Sequence, residues 1–199
     1  MFAGHFGLAA GAKSQAPTVP LWALMLATQL LDVFFVVLNL AGLESYKALD
    51  PAHPNAYGGL VLGDLYSHSL VGAALLALIA GMAARAAWGR RGGLVIGAVV
   101  FSHWILDLVV HRADMPLLPG NAGNLPLLGL GLWGQPMISA ALEAVLVLGG
   151  AFLYWRSATR LPAPTIRESV SYRNRGLVAG LVTGLLLVLS LVTSVLGIG

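Results

Sequence analysis

Cysteine is absent from the 199 residues, which excludes disulfides, thiolate metal sites and cysteine nucleophiles. Charge is scarce. Only 10% of the residues are Asp, Glu, Lys or Arg, where a soluble domain carries about a quarter. Because 58% are hydrophobic, the shortage of charge does not signal disorder; it argues against a water-soluble globular domain. The net charge of +3 reads as membrane topology rather than nucleic-acid binding, and no nucleic-acid partner is expected. No internal repeat is present, and the length suits a single domain over residues 1–199.

What the chain does have is long apolar runs. About 20 residues cross a hydrocarbon core, and five stretches reach that length, near 20–42, 58–84, 93–111, 137–155 and 176–198. The expected fold is all-α: a polytopic membrane bundle of five transmembrane helices. Residues 2–12 are apolar but too short to cross, and Pro17 and Pro20 separate them from the first span. They form an expected half-helix packed among the spans, since buried backbone of that kind is tolerated only inside a bundle. No basic residue precedes this stretch, so it does not read as a signal peptide.

Nine basic residues (Lys13, Arg85, Arg90, Arg91, Arg156, Arg160, Arg167, Arg173, Arg175) fall on one side of these spans. Lys47 and Arg112 fall on the other. The positive-inside rule then places the N-terminal side in the cytoplasm and the C-terminus outside. Membrane lipid is the expected partner; the sequence leaves the oligomeric state open.

Ionisable groups within the apolar runs stand out because each costs a few kcal/mol at mid-membrane even on lenient scales. They are Asp32, Asp64, His68, His103, Asp107 and Glu143. Asp64 and His68 are four apart, and His103, Asp107 and His111 are spaced four and four, so each set is expected on one helix face. A half-helix ending at Lys13 lifts His5 about 12 Å, near the level of Asp32 and His103. Imidazoles with carboxylates and no thiol suit zinc, iron, nickel or manganese. The expectation is a divalent metal, zinc first, as one or two ions. Bland readings stand beside it. His103 with Asp107 also reads as a helix-packing pair, His68 with Ser67 and Ser69 as interhelical polar glue, and His5 as interfacial. The Arg167–Arg175 group reads as a topology signal that touches anionic lipid.

Several pieces carry a resemblance: Gly4-His5, Leu30-Leu31-Asp32, Tyr66-Ser67-His68-Ser69, and Ser102-His103-Trp104-Ile105-Leu106-Asp107 continuing through His111-Arg112-Ala113-Asp114-Met115-Pro116. Together they resemble a bacterial family of small integral-membrane proteins. That family is similar to the inner-membrane metal-dependent hydrolases and, remotely, to the zinc-dependent phospholipase C and single-strand nuclease fold. The likeness covers about residues 4–120. Two family elements are missing: Asp32 is followed by Val33, Phe34 and Phe35 rather than an Asp-x-Asp-His cluster, and no His-Arg-Gly precedes Ser67-His68-Ser69. The resemblance implies a hydrolase of a phosphoester or lipid-linked headgroup. His5, His68, His103, Asp107 and His111 would be metal ligands, and Asp32 a ligand or base. Asp64 and Glu143 would orient histidines or move protons, and Arg112 would steady the anionic substrate. Two other classes remain open: a proton- or cation-coupled transporter using the same acids and histidines, and a scaffold whose polar cluster fixes helix register.

Overall fold

A computed structural model describes residues 2–49, 59–63, 65–159 and 166–196, with backbone alone over 166–173. Six helices run in the order α1 (Phe2–Ala12), α2 (Leu21–Thr28), α3 (Leu30–Leu40), α4 (Leu70–Val110), α5 (Pro136–Thr159) and α6 (Ile166–Leu196). Between α3 and α4 lies a two-stranded antiparallel hairpin, β1 (Ser45–Ala48) with β2 (Leu60–Gly63). This small sheet departs from the all-α expectation.

Three helices are long and apolar enough to cross a membrane: α4, α5 and the 174–196 part of α6. The pair α2 and α3, bent by 51°, would make a fourth as one broken span. The outer faces fit a bilayer rather than water: Leu181, Leu185 and Leu189 on α6, and Val145 and Leu148 on α5, are all exposed. The expectation of five spans is met only in part: the second and third run together in α4, a stretch of 41 residues. Drawn straight it would measure about 60 Å, twice a hydrocarbon core. Instead it folds back at Trp88 and Gly89, where Gly89 takes φ 73°. A Cβ built on Gly97 would lie 3.1 Å from the Ala77 carbonyl oxygen, and one on Gly93 only 2.6 Å from that of Gly81. Residues 70–87 and 90–110 are therefore antiparallel arms, and small residues let their backbones touch.

The start of this hairpin also differs from expectation. The sequence reading starts the second span at 58, yet β2 and a turn occupy the described part of 58–69. Ser69 is the N-cap, and its hydroxyl accepts from Gly72 N at 3.0 Å. The next free helix donors, Leu70 N and Val71 N, bond the Pro116 and Leu117 carbonyls. His68 consequently sits in the turn before the helix; Asp64, expected to share its face, lies outside the described residues.

Helix α1 enters the bundle, with Ala3, Gly4, His5, Gly7, Ala9, Ala10 and Gly11 all buried. It crosses α5 in backbone contact: a Cβ on Gly150 would fall 1.8 Å from Gly7 O, and one on Gly7 2.5 Å from Leu146 O. Its end is closed by Lys13, whose Nζ donates to the Pro17 and Val19 carbonyls. The main core lies between α2, α3 and the α4 arms, around Leu24, Leu31, Val100 and Trp104. Trp22 and Trp88 meet edge to face at the end of the bundle that carries the α4 fold-back.

Candidate metal centre

Four elements deliver the polar cluster. Helix α1 brings His5, the first turn of α3 brings Asp32, the pre-α4 turn brings His68, and the second α4 arm brings His103 and Asp107. Aside from Asp32, these side chains are 6% exposed or less. His103 Nε2 lies 3.0 Å from Asp107 Oδ2 and 3.5 Å from Asp32 Oδ1. His68 Nε2 lies 3.3 Å from Asp32 Oδ1 and 3.7 Å from Asp107 Oδ2. Two three-residue groups, His5/His103/Asp107 and Asp32/His68/His103, each place their donor atoms within 4.8 Å of one another. By the spacing of the donor atoms alone, either group could hold a metal ion. Zinc bound tetrahedrally at 2.0–2.1 Å needs neighbouring donors about 3.3 Å apart, and the four nitrogen–oxygen separations bracket that value.

The orientation of the two central rings follows from what lies behind them. His103 Nδ1 is 2.6 Å from the Thr28 carbonyl oxygen, which can only accept, so this nitrogen carries the proton. The break between α2 and α3 leaves that carbonyl available. Thr28 also donates its hydroxyl to His5 O, tying α2 to α1. His68 Nδ1 is 2.9 Å from Ser67 Oγ, and Ser67 Oγ donates to Glu44 Oε2 at 3.0 Å. A hydroxyl whose single proton is given to a carboxylate must accept from the ring, so His68 also carries its proton on Nδ1. In their neutral forms both rings therefore turn a bare Nε2 toward the oxygens of Asp32 and Asp107. Acceptors facing acceptors in a buried space call for a cation between them. In agreement, His103 Nε2 is buried without a hydrogen-bond partner.

His5 has a different part. Its Nε2 lies 3.1 Å from Asp107 Oδ1, and its ring stacks on His103 with centroids 4.0 Å apart and planes 6° apart. A metal lies close to the plane of the imidazole that binds it, and two stacked parallel planes share no such point. One ion thus takes His103 or His5, not both. With an ion on His103, His5 donates to Asp107 and fixes that carboxylate; a second ion would take His5 and Asp107 Oδ1.

Asp32 is the open side of the cluster, with 43% of its side chain exposed. It lies beside exposed Val33 and Val36 on α3, in the first helical turn, where the helix dipole favours a carboxylate.

Three residues singled out in the sequence lie apart from both ligand groups. His111 is the C-cap of α4: its N–H still bonds the Asp107 carbonyl, the chain leaves the helix after it (ψ 149°), and its ring belongs to neither ligand group. Its Nδ1 contacts Asp114 Oδ1 at 3.2 Å, and its ring packs on Trp133. Arg112 follows in the same loop, where its carbonyl accepts from Asp114 N. Glu143 is fully buried on α5, where its Oε1 accepts from Gly4 N at 3.1 Å. That bond satisfies one of the free amides at the start of α1 and seats the helix next to His5.

Glu44 and Thr28 escaped the sequence reading. Glu44 belongs to a segment read as an outer loop, yet it is only 2% exposed and accepts from Tyr66 N, Ser67 N and Ser67 Oγ. It lies 23 residues from Ser67, and no helical spacing links them. The available signal was weaker: Glu44 is one of only eight acids in the chain, within a few residues of an apolar run. Thr28 acts through its carbonyl, which its side-chain identity does not reveal. No protein-family model, curated protein or solved structure matches this chain.

Proposed function

We propose that this chain is a membrane-embedded metal-dependent hydrolase acting on a phosphoester, in particular a lipid or lipid-linked headgroup. The observation that carries this reading is the pair of Nε2 atoms, His68 and His103, turned onto the carboxylates of Asp32 and Asp107. A divalent cation, zinc first, would supply Lewis acidity there, making a water acidic enough to deprotonate near neutral pH and drawing charge from a phosphoryl oxygen. His68, His103 and Asp107 would hold the cation, and His5 would orient Asp107 or bind a second ion. Asp32 combines contact with two histidines and an open flank, which suits a group that meets substrate and accepts a proton. Exposed apolar residues beside it suit the acyl chains of a lipid.

In this reading the chain crosses a bacterial inner membrane five times. The two α4 arms count separately, and α2 with α3 counts once. Lys13, the α4 fold-back with Arg85, Arg90 and Arg91, and Arg156 face the cytoplasm. Arg112 then lies at the outer surface, where it would steady an anionic headgroup.

The test is hydrolysis of phospholipid headgroup analogues by purified protein in detergent or nanodiscs. Release of a phosphorylated or alcohol product that stops with a chelator and returns with zinc supports the reading. Zinc-replete protein inert against phosphomonoesters and phosphodiesters alike counts against it. The same imidazole–carboxylate distances would also suit protonated histidines in a proton- or cation-coupled transporter. That alternative predicts coupled uptake in proteoliposomes that is insensitive to chelators.

A further inference from the structure

Glu44 accepts three hydrogen bonds in a buried position, and the proposed chemistry does not use it directly. One of its oxygens takes two backbone amides, Tyr66 N and Ser67 N. The other takes the Ser67 hydroxyl. That hydroxyl in turn meets His68 Nδ1. All three side chains are 3% exposed or less. The hairpin of β1 and β2 follows Glu44, and Asn39 Nδ2 donates to the Glu44 carbonyl at 2.9 Å, so the segment is pinned from both sides.

We infer that Glu44 and Ser67 form a relay that fixes His68 as its Nδ1–H tautomer, keeping the Nε2 lone pair aimed into the cluster. Glu44 is thus a positioning residue for a cation ligand. A carboxylate can only accept, so the Ser67 proton points toward Glu44. Ser67 then has only lone pairs to offer His68, and the ring proton must sit on Nδ1. A carboxylate behind a ligating imidazole also raises its basicity, and loss of such a partner typically costs about 10–100-fold in metal affinity. The inference rests on the proposed metal site for its purpose, though the tautomer can be read without any metal.

Glu44→Gln tests the relay with almost no change of shape. The glutamine oxygen still accepts from the two backbone amides. Its amide nitrogen now faces Ser67 Oγ and donates to it. The buried Ser67 proton has then lost its carboxylate acceptor and finds a new one in His68 Nδ1, while the ring carries its single proton on Nε2, facing Asp32 and Asp107. The lone pair inside the cluster is lost. In metal-free protein labelled with 15N histidine, His68 is expected as Nδ1–H in the parent and as Nε2–H in Glu44→Gln. Zinc affinity, by competition with a chromophoric chelator, is expected to fall about 10–100-fold. A merely structural role for Glu44 leaves the tautomer unmoved, and an unchanged Nδ1–H signal in the variant overturns the inference. Ser67→Ala is the second arm should Glu44→Gln fail to fold. It keeps the backbone contacts to Glu44 and removes the link, so the His68 preference for Nδ1–H is expected to disappear; its persistence also overturns the inference. If the parent binds no zinc while the tautomers switch as described, the relay stands and the hydrolase reading falls.

Discussion

Asp107→Asn is expected to abolish metal binding while leaving the metal-free protein at least as stable as the parent. Asp107 is the carboxylate common to three imidazoles: Oδ1 meets His5, and Oδ2 meets His68 and His103. Asparagine has the same shape. Its oxygen serves the His5 N–H, and its amide hydrogens point at the two Nε2 lone pairs. Two acceptors that faced an acceptor now face a donor, and each new hydrogen bond is worth about 1 kcal/mol. The variant has lost an anionic ligand, so zinc affinity drops by more than the roughly 10–100-fold seen when only an outer partner is removed. The scaffold and proton-transport readings require the opposite sign. If His103 is a buried imidazolium paired with Asp107, neutralising Asp107 strands a charge and costs about 3–5 kcal/mol. Thermal unfolding of metal-free parent and variant, with zinc titration of both, separates these accounts.

Gly150→Ala is expected to be among the most damaging single-methyl changes at a contact between helices. Its new Cβ would sit 1.8 Å from Gly7 O, against backbone that cannot swing aside like a side chain. Helix α1 must move away from α5. That movement strips the Glu143 contact from Gly4 N and draws His5 off Asp107. Overpacking of this kind costs typically 1–3 kcal/mol, and a backbone-on-backbone clash belongs at the upper end, about 3 kcal/mol. Gly149→Ala is the control, because a Cβ there meets nothing within 4 Å. The comparison is the midpoint of thermal unfolding in detergent. Equal midpoints for the two variants would show that α1 does not lie against α5 as described.

Much of the site's membership was legible because membranes make charge expensive. His5, Asp32, His68, His103 and Asp107 stood out as ionisable groups in or near apolar runs, and the structure brings all five together. Helical spacing placed His103 and Asp107 on one face correctly. It failed at His68, which lies in a turn before α4, and it did not reveal that His111, at the end of α4, turns its ring to Asp114 and Trp133 rather than to the ligand groups. The half-helix was legible as a stretch too short to cross and too apolar to face water. The reversal between the α4 arms was legible as well, because Arg85, Arg90 and Arg91 read as a loop between two spans; what the sequence did not show is that helix runs up to both sides of it and the chain turns on Trp88 and Gly89 alone. Likewise β2 uses Leu60, Val61 and Leu62, whose apolar character continues that of the following helix. The outer partners were hidden for another reason. Thr28 contributes a carbonyl, and Glu44 acts through Ser67, so neither role is written in spacing along the chain.

The most direct measurement is the metal content of zinc-replete protein, by elemental analysis after gel filtration, with anomalous scattering to locate it. The account predicts at least one zinc per chain, with an anomalous peak between His68, His103, Asp32 and Asp107, and loss of that metal in His103→Ala. A chain that retains its fold yet carries no metal after zinc loading, or carries it only at the surface, would contradict it.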